Sequence, residues 1–224
     1  MGNKINKYHY VTHKREPFFD IAKKYISSDK KVLDVGAGDG YFAEYCQRPD
    51  FFLFEGNEDN FKNLSKKYCN SYYGKLPGLP FQDLFFDVIH CSHVVEHLYP
   101  SEFYDTLKEM DRCLKKNGYL IISAPLFWEN FFADLSHIKP YHPDVFLKYL
   151  SSHTKNTLST EKISEKYELV EIQYRYKEVS LKNGLHNLNK NIFISLILKA
   201  LGVLHKLGLR KMEKTGFTLV LLKK

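Results

Sequence analysis

Val32-Leu33-Asp34-Val35-Gly36-Ala37-Gly38-Asp39-Gly40-Tyr41-Phe42-Ala43 changes character twice within one short run. Apolar β-branched residues give way to alternating glycines and then to helix-compatible residues, so the stretch reads as strand, tight turn and helix. Glycine serves the turn because the backbone must reach positive φ and approach a ligand that a Cβ would push away. A helix over residues 41–47 would aim its first N–H groups at whatever occupies that turn. The register is G-x-G-x-G. A dinucleotide fingerprint requires G-x-G-x-x-G, and its third glycine would fall on Tyr41. Asp34, inside the end of the strand, would repel a pyrophosphate and attract an ammonium group.

Working outward, Phe51-Phe52-Leu53-Phe54 reads as a second buried strand that ends on Glu55, where an acid can accept both hydroxyls of a ribose. Further on stand Leu79-Pro80-Phe81-Gln82-Asp83-Leu84-Phe85-Phe86-Asp87-Val88-Ile89-His90-Cys91-Ser92-His93-Val94-Val95-Glu96-His97-Leu98 and Leu114-Lys115-Lys116-Asn117-Gly118-Tyr119-Leu120-Ile121-Ile122-Ser123. Taken in order over residues 32–125, these runs resemble the class I S-adenosylmethionine-dependent methyltransferases. The glycine turn matches their motif I, the run from Leu79 to Leu98 their "LPF…FDVV…VLEHL" segment and the run from Leu114 to Ser123 their "LKPGG.L" approach to strand five. The subgroup with this pattern includes ubiquinone and menaquinone C-methyltransferases and many small-molecule O- and N-methyltransferases.

The resemblance implies an α/β fold: a Rossmann-like doubly wound seven-stranded sheet, mostly parallel, with an antiparallel last strand and here a helical insert before it. It implies S-adenosylmethionine as cofactor. Asp34, Gly36, Ala37 and Gly38 would hold its amino-acid end, and Glu55, Gly56 and Asn57 its ribose. Leu76 would lie beside the adenine, and Cys91, Ser92 and His93 would border the reacting centre. Many relatives carry an acid for the adenine amino group where this chain has Lys75.

The chain is expected to form one domain over residues 1–224. Residues 1–30 would supply a leading loop and helix, with Tyr8, Tyr10 and His13 as lid or packing residues and Pro17 near the helix start. Residues 31–125 form the cofactor-binding core. A helix over residues 101–114, with Lys115-Lys116 late and Asn117-Gly118 closing it, suits the macrodipole. Glu96-His97 either braces the turn after strand four or takes part in catalysis. Residues 126–143 form a long aromatic loop, a length that points to function. Its Asp134-x-x-His137-x-x-Pro140-Tyr141 is similar to the "D..H.r.Y" signature of bacterial methyltransferases often encoded among glycan-tailoring enzymes. His137 and His93 are the candidate catalytic residues, because imidazole titrates near neutrality. His137 would serve as base or acceptor-orienting group, or would pin the loop through Asp134 or a backbone carbonyl.

Strand six is expected from residue 167 and strand seven over residues 215–222, so residues 179–214 form the insert. Its apolar run over residues 192–204, flanked by Lys190, Lys206, Arg210 and Lys211, is too short to span a bilayer. It could pack on the domain, join two copies or rest on anionic lipid.

The net charge is +7, from 33 Lys and Arg against 26 Asp and Glu. The lysines are scattered and no basic cluster interleaved with stacking aromatics occurs, so nucleic acid is not the favoured partner. Cys46, Cys69, Cys91 and Cys113 stand singly, without C-x-x-C or histidines at zinc spacing, which predicts reduced thiols and no metal. The N-terminal residues lack both a signal-peptide core and a myristoylation pattern, so a cytoplasmic location is expected. The function expected is methyl transfer to oxygen or nitrogen of a small molecule, such as a sugar or another precursor of cell-surface glycan. An RNA or DNA methyltransferase is opposed by Cys91-Ser92-His93-Val94, where such enzymes usually place Asp or Asn-Pro-Pro-aromatic. A nicotinamide-dependent oxidoreductase is opposed by the glycine register. A non-catalytic protein that binds the nucleoside would share the same motifs, and cofactor turnover separates it from an enzyme.

Overall fold

The computed structural model describes residues 14–152, 160–179, 192–209 and 211–224. In chain order the elements are α1 (Glu16–Lys23), β1 (Val32–Val35), α2 (Tyr41–Cys46), β2 (Phe52–Glu55), α3 (Glu58–Lys67), β3 (Ser71–Tyr73), β4 (Phe86–Ser92), α4 (Pro100–Cys113), β5 (Leu114–Pro125), α5 (Pro143–Leu150), β6 (Tyr167–Val179), α6 (Ile192–Lys206) and β7 (Lys211–Lys223). They build one seven-stranded sheet in the order β3-β2-β1-β4-β5-β7-β6. β7 runs antiparallel to both β5 and β6, and the remaining pairs are parallel. The expected Rossmann-like sheet is therefore present, with its order reversing between β1 and β4, where open α/β sheets bind ligands at the carboxyl ends of the strands.

Strand alternation divides the interior into two layers. Val32, Val88, Ile121 and Val220 point to the side covered by α1, α2 and α3, where Phe18, Phe19, Phe42 and Leu64 meet them. Leu33, Ile89, Leu120 and Ile122 point to the other side, against Leu107 and Met110 of α4 and Phe146 and Leu150 of α5. Because both faces of β1 and β4 are covered, these strands are buried almost throughout, and their buried polar residues Asp34 and His90 pair with each other inside. α3 starts on Asn57, whose side chain accepts from the N–H groups of Asp59 and Asn60 at 3.0 Å each.

Two boundaries differ from expectation. α4 stops at Cys113, and Lys115 and Lys116 belong to β5. Leu114 is fully buried and registers with Phe86, and Lys115 Nζ pairs with Asp87 Oδ1 at 3.0 Å, so strand pairing ends the helix before the lysines are reached. The extra residues are taken up in an irregularity of the β4–β5 pairing that includes Asn117 at φ +61°. β7 begins at Lys211, because pairing with β6 runs back as far as Val179 opposite Lys211.

On α6, Leu196, Ile197, Val203 and Leu204 are exposed, whereas Ile194, Leu198 and Leu201, at helical spacing, are half-buried. No described helix is long and apolar enough to cross a membrane. Tyr8, Tyr10, His13, Lys190 and Arg210 lie outside the described residues.

Candidate active site

The turn between β1 and α2 has positive φ at Gly36 (+71°), Gly38 (+59°) and Gly40 (+83°). A Cβ on Gly36 would overlap Cγ2 of Val94, so the turn and the segment after β4 approach as closely as backbone allows. Gly36 and Ala37 both donate to the carbonyl of Phe54, at 2.8 and 3.1 Å, which ties the turn to the end of β2. Glu55, only 7% exposed, completes the tie. Its Oε2 accepts from the N–H of Gly38 and its Oε1 from that of Asn57, each at 2.7 Å. One carboxylate thus fixes the glycine turn and the start of α3 together, and each oxygen keeps lone-pair capacity for a further donor.

These elements enclose a cleft of about 450 Å³. Gly36, Glu55, Gly56, Asn57, Leu76 and His93, all expected from the sequence, line it. Gly74, Lys75, Val94, His97, Leu98 and Glu102 line it as well. Of these, Lys75 is visible in the sequence only as a missing acid and His97 only as a brace or catalyst; no local motif signals that α4 brings Glu102 to the same wall.

Four of the residues expected to hold the cofactor, Asp34, Ala37, Gly38 and Cys91, do not line this cleft. Asp34 is 3% exposed, and its Oδ1 lies 2.7 Å from Nδ1 of His90, whose ring stacks on Phe42 at 3.8 Å between centroids. Its carboxylate is used within the core and does not line the cleft, because parallel pairing sets Asp34 beside His90. Cys91 is buried, and burial pushes its thiol well above the ordinary value, so it offers no thiolate. Ala37 is also buried and does not line the cleft.

Ser92 lies beyond His93, in a second recess of about 10 Å³ bordered by Arg15, Phe19, Ser123 and Arg175. Arg175 donates from Nε and Nη2 to the hydroxyl and carbonyl of Thr215, both at 3.3 Å. Burial lowers its pKa, and the negative charge of Glu96 acts in the opposite sense. His93 borders both spaces. It has φ +56°, donates its N–H to the Ser123 carbonyl at 2.8 Å, and places Nδ1 3.1 Å from Glu96 Oε1. A non-glycine residue held at such φ is over-determined by its surroundings, as occurs at functional positions.

His137 lines neither space. Its Nδ1 lies 2.7 Å from the carbonyl of Phe131, so it does pin the loop, and Asp134 Oδ2 stands 4.0 Å from its Nε2. Its ring is 5.0 Å from that of His97, which reaches the large cleft.

A Cβ on Gly38 would meet nothing within 4 Å. Gly38→Ala is therefore expected to cost only about 1–2 kcal/mol, from the left-handed backbone, while its methyl group occupies space beside the turn. A small drop in melting temperature with a marked loss of cofactor affinity in calorimetry is the expected pair of results; unchanged affinity would show that the ligand does not approach Gly38.

The profile of the methyltransferase domain family matches residues 7–159. An uncharacterized protein of Methanocaldococcus jannaschii is 28% identical over 188 residues, spanning 78% of this chain and 80% of its own. Among solved structures, a SAM-dependent methyltransferase from Archaeoglobus fulgidus superposes with a TM-score of 0.57 at 22% identity, covering 94% of this chain and 97% of its own. The YcgJ protein of Bacillus subtilis does so with 0.59 at 14% identity, covering 93% and 99%.

Proposed function

For a chain that belongs to the methyltransferase domain family, we propose methyl transfer from S-adenosylmethionine to an oxygen or nitrogen of a small anionic acceptor. The enzyme class and the cofactor follow from the family. The residues present fit that cofactor: Glu55 keeps a hydrogen-bonding face for ribose hydroxyls, Gly38 leaves open space, and Leu76 offers an apolar neighbour for a base. When bound, the cofactor supplies a sulfonium methyl group that a nucleophile attacks in line.

The protein's task is then alignment and exclusion of water. His93 carries the reading, because it alone among the described residues borders both the cofactor cleft and the recess between Arg15 and Arg175. The recess itself, at about 10 Å³, holds no more than a water-sized group, but the guanidinium groups of Arg15 and Arg175 beside it would draw a carboxylate- or phosphate-bearing acceptor to the His93 side of the cleft. A sugar precursor of cell-surface glycan is one compound class of this kind. Glu96, accepting from Nδ1–H of His93, would leave Nε2 to receive a proton from the acceptor. His137 lines neither space and would act on the acceptor through His97, whose ring lies 5.0 Å from its own and reaches the cleft. His137→Ala should lower turnover while S-adenosylmethionine affinity stays within about twofold; loss of folding instead would reduce His137 to its bond with Phe131.

Parallel calorimetric titrations with S-adenosylmethionine, S-adenosylhomocysteine and NAD test the cofactor reading. Binding of the first two alone is expected, followed by turnover in a screen of phosphorylated and carboxylated sugars and small amines. Cofactor binding without any turnover would favour a non-catalytic role.

A further inference from the structure

We propose that Glu96, His97 and His137 form a binding site for one divalent first-row transition-metal ion, of the class of zinc, manganese, cobalt or ferrous iron. Each side chain offers one ligand atom, and these atoms lie within 4.8 Å of one another. The cluster has two properties that an incidental grouping lacks. Glu96 is 0% exposed and its Oε1 serves His93, but its Oε2 is buried with no hydrogen-bond partner. A buried carboxylate oxygen without a donor is costly and calls for a missing partner such as an ion.

The second property is the setting of the imidazoles. Nδ1 of His97 lies 3.0 Å from the carbonyl of Ser136, and Nδ1 of His137 lies 2.7 Å from that of Phe131. A carbonyl only accepts, so both Nδ1 atoms carry hydrogen, and it is Nε2 of each neutral ring that is left to present a lone pair. Metal-bound histidines are held in this way by their outer partners. The loop is also anchored to the third ligand, since Ile138 and Lys139 donate to the carbonyl of Glu96 at 2.8 and 3.2 Å. The three donors are thus fixed before any ion arrives.

Two imidazoles and one carboxylate suit borderline divalent metals and leave coordination positions open. His97 lines the cofactor cleft and Glu96 touches His93, so an open position would stand at the reacting centre. This role, unlike the site itself, rests on the proposed methyl transfer. The ion would polarise an acceptor hydroxyl; its proton passes to His93, its oxygen takes the methyl group, and S-adenosylhomocysteine leaves with the electrons of the broken C–S bond. The sequence gives no metal spacing for this cluster because His137 comes from a separate loop.

The test titrates EDTA-treated protein with Co²⁺ and with Zn²⁺, following visible cobalt absorption and equilibrium dialysis. One equivalent should bind, and Glu96→Gln, His97→Ala and His137→Gln should each weaken binding by about tenfold or more. His137 is on a loop, so its variant should keep the wild-type circular dichroism spectrum even where the buried Glu96 variant does not. S-adenosylmethionine affinity should be unchanged in His137→Gln, which separates failure of the ion site from failure of the cofactor reading. Substoichiometric binding by the wild-type protein, or binding that persists in a folded His137→Gln protein, overturns the proposal.

Discussion

Glu55→Ala is expected to weaken S-adenosylmethionine binding by a factor of ten or more, about 1.4 kcal/mol at the least. Two losses combine. The ribose loses an acceptor at the end of β2, and the N–H groups of Gly38 and Asn57 lose the carboxylate that holds the turn and the α3 start in register. Each freed N–H that finds no water adds a penalty of about 1 kcal/mol to stability, so the variant should also melt earlier. Glu55→Gln separates the two effects: it keeps one oxygen for a backbone donor but places an amide where the other stood. Calorimetry on both variants, with melting curves for each, is the measurement. Unchanged affinity in Glu55→Ala would remove Glu55 from the cofactor site.

The largest effect on stability is expected at Asp34. Asp34→Ala should cost about 3 kcal/mol, since it strands the Nδ1–H of a His90 that is itself only 2% exposed. For a chain of this length that corresponds to a fall of about 6–12 °C in melting temperature. Asp34→Asn, which retains an acceptor oxygen, should recover most of it. Cofactor affinity of the folded Asp34→Asn protein should be close to wild type. A stable Asp34→Asn protein that no longer binds S-adenosylmethionine would restore the ammonium contact suggested by the sequence.

These two positions show what the sequence discloses and what it withholds. The glycine turn, Glu55 and the buried strands are legible because their signals are local: positive φ demands glycine, and a strand covered on both faces demands an apolar run. The partner of Asp34 is not legible, because the residue opposite it is set by the pairing of β1 with β4 across the sheet. The end of α4 misleads for the same reason, the helix propensity of Lys115 and Lys116 yielding to the burial of Leu114 and the bond to Asp87. His137 stands out by its motif, but its meeting with Glu96 and His97 depends on how the loop folds back, and no spacing in the chain encodes that.

The position of β7 bears on the order in which the molecule is assembled. β7 is synthesised after β6 yet separates it from β5, and it is β6's hydrogen-bonded neighbour in the sheet. Until β7 inserts, the edges of β5 and β6 both present unpaired N–H and C=O groups, a state open to pairing with other chains. Completion of the sheet therefore depends on late, partly long-range closure, the kind of step that slows folding and lengthens exposure to aggregation. A nascent chain halted before β7 should be far more sensitive to protease than one carried past it.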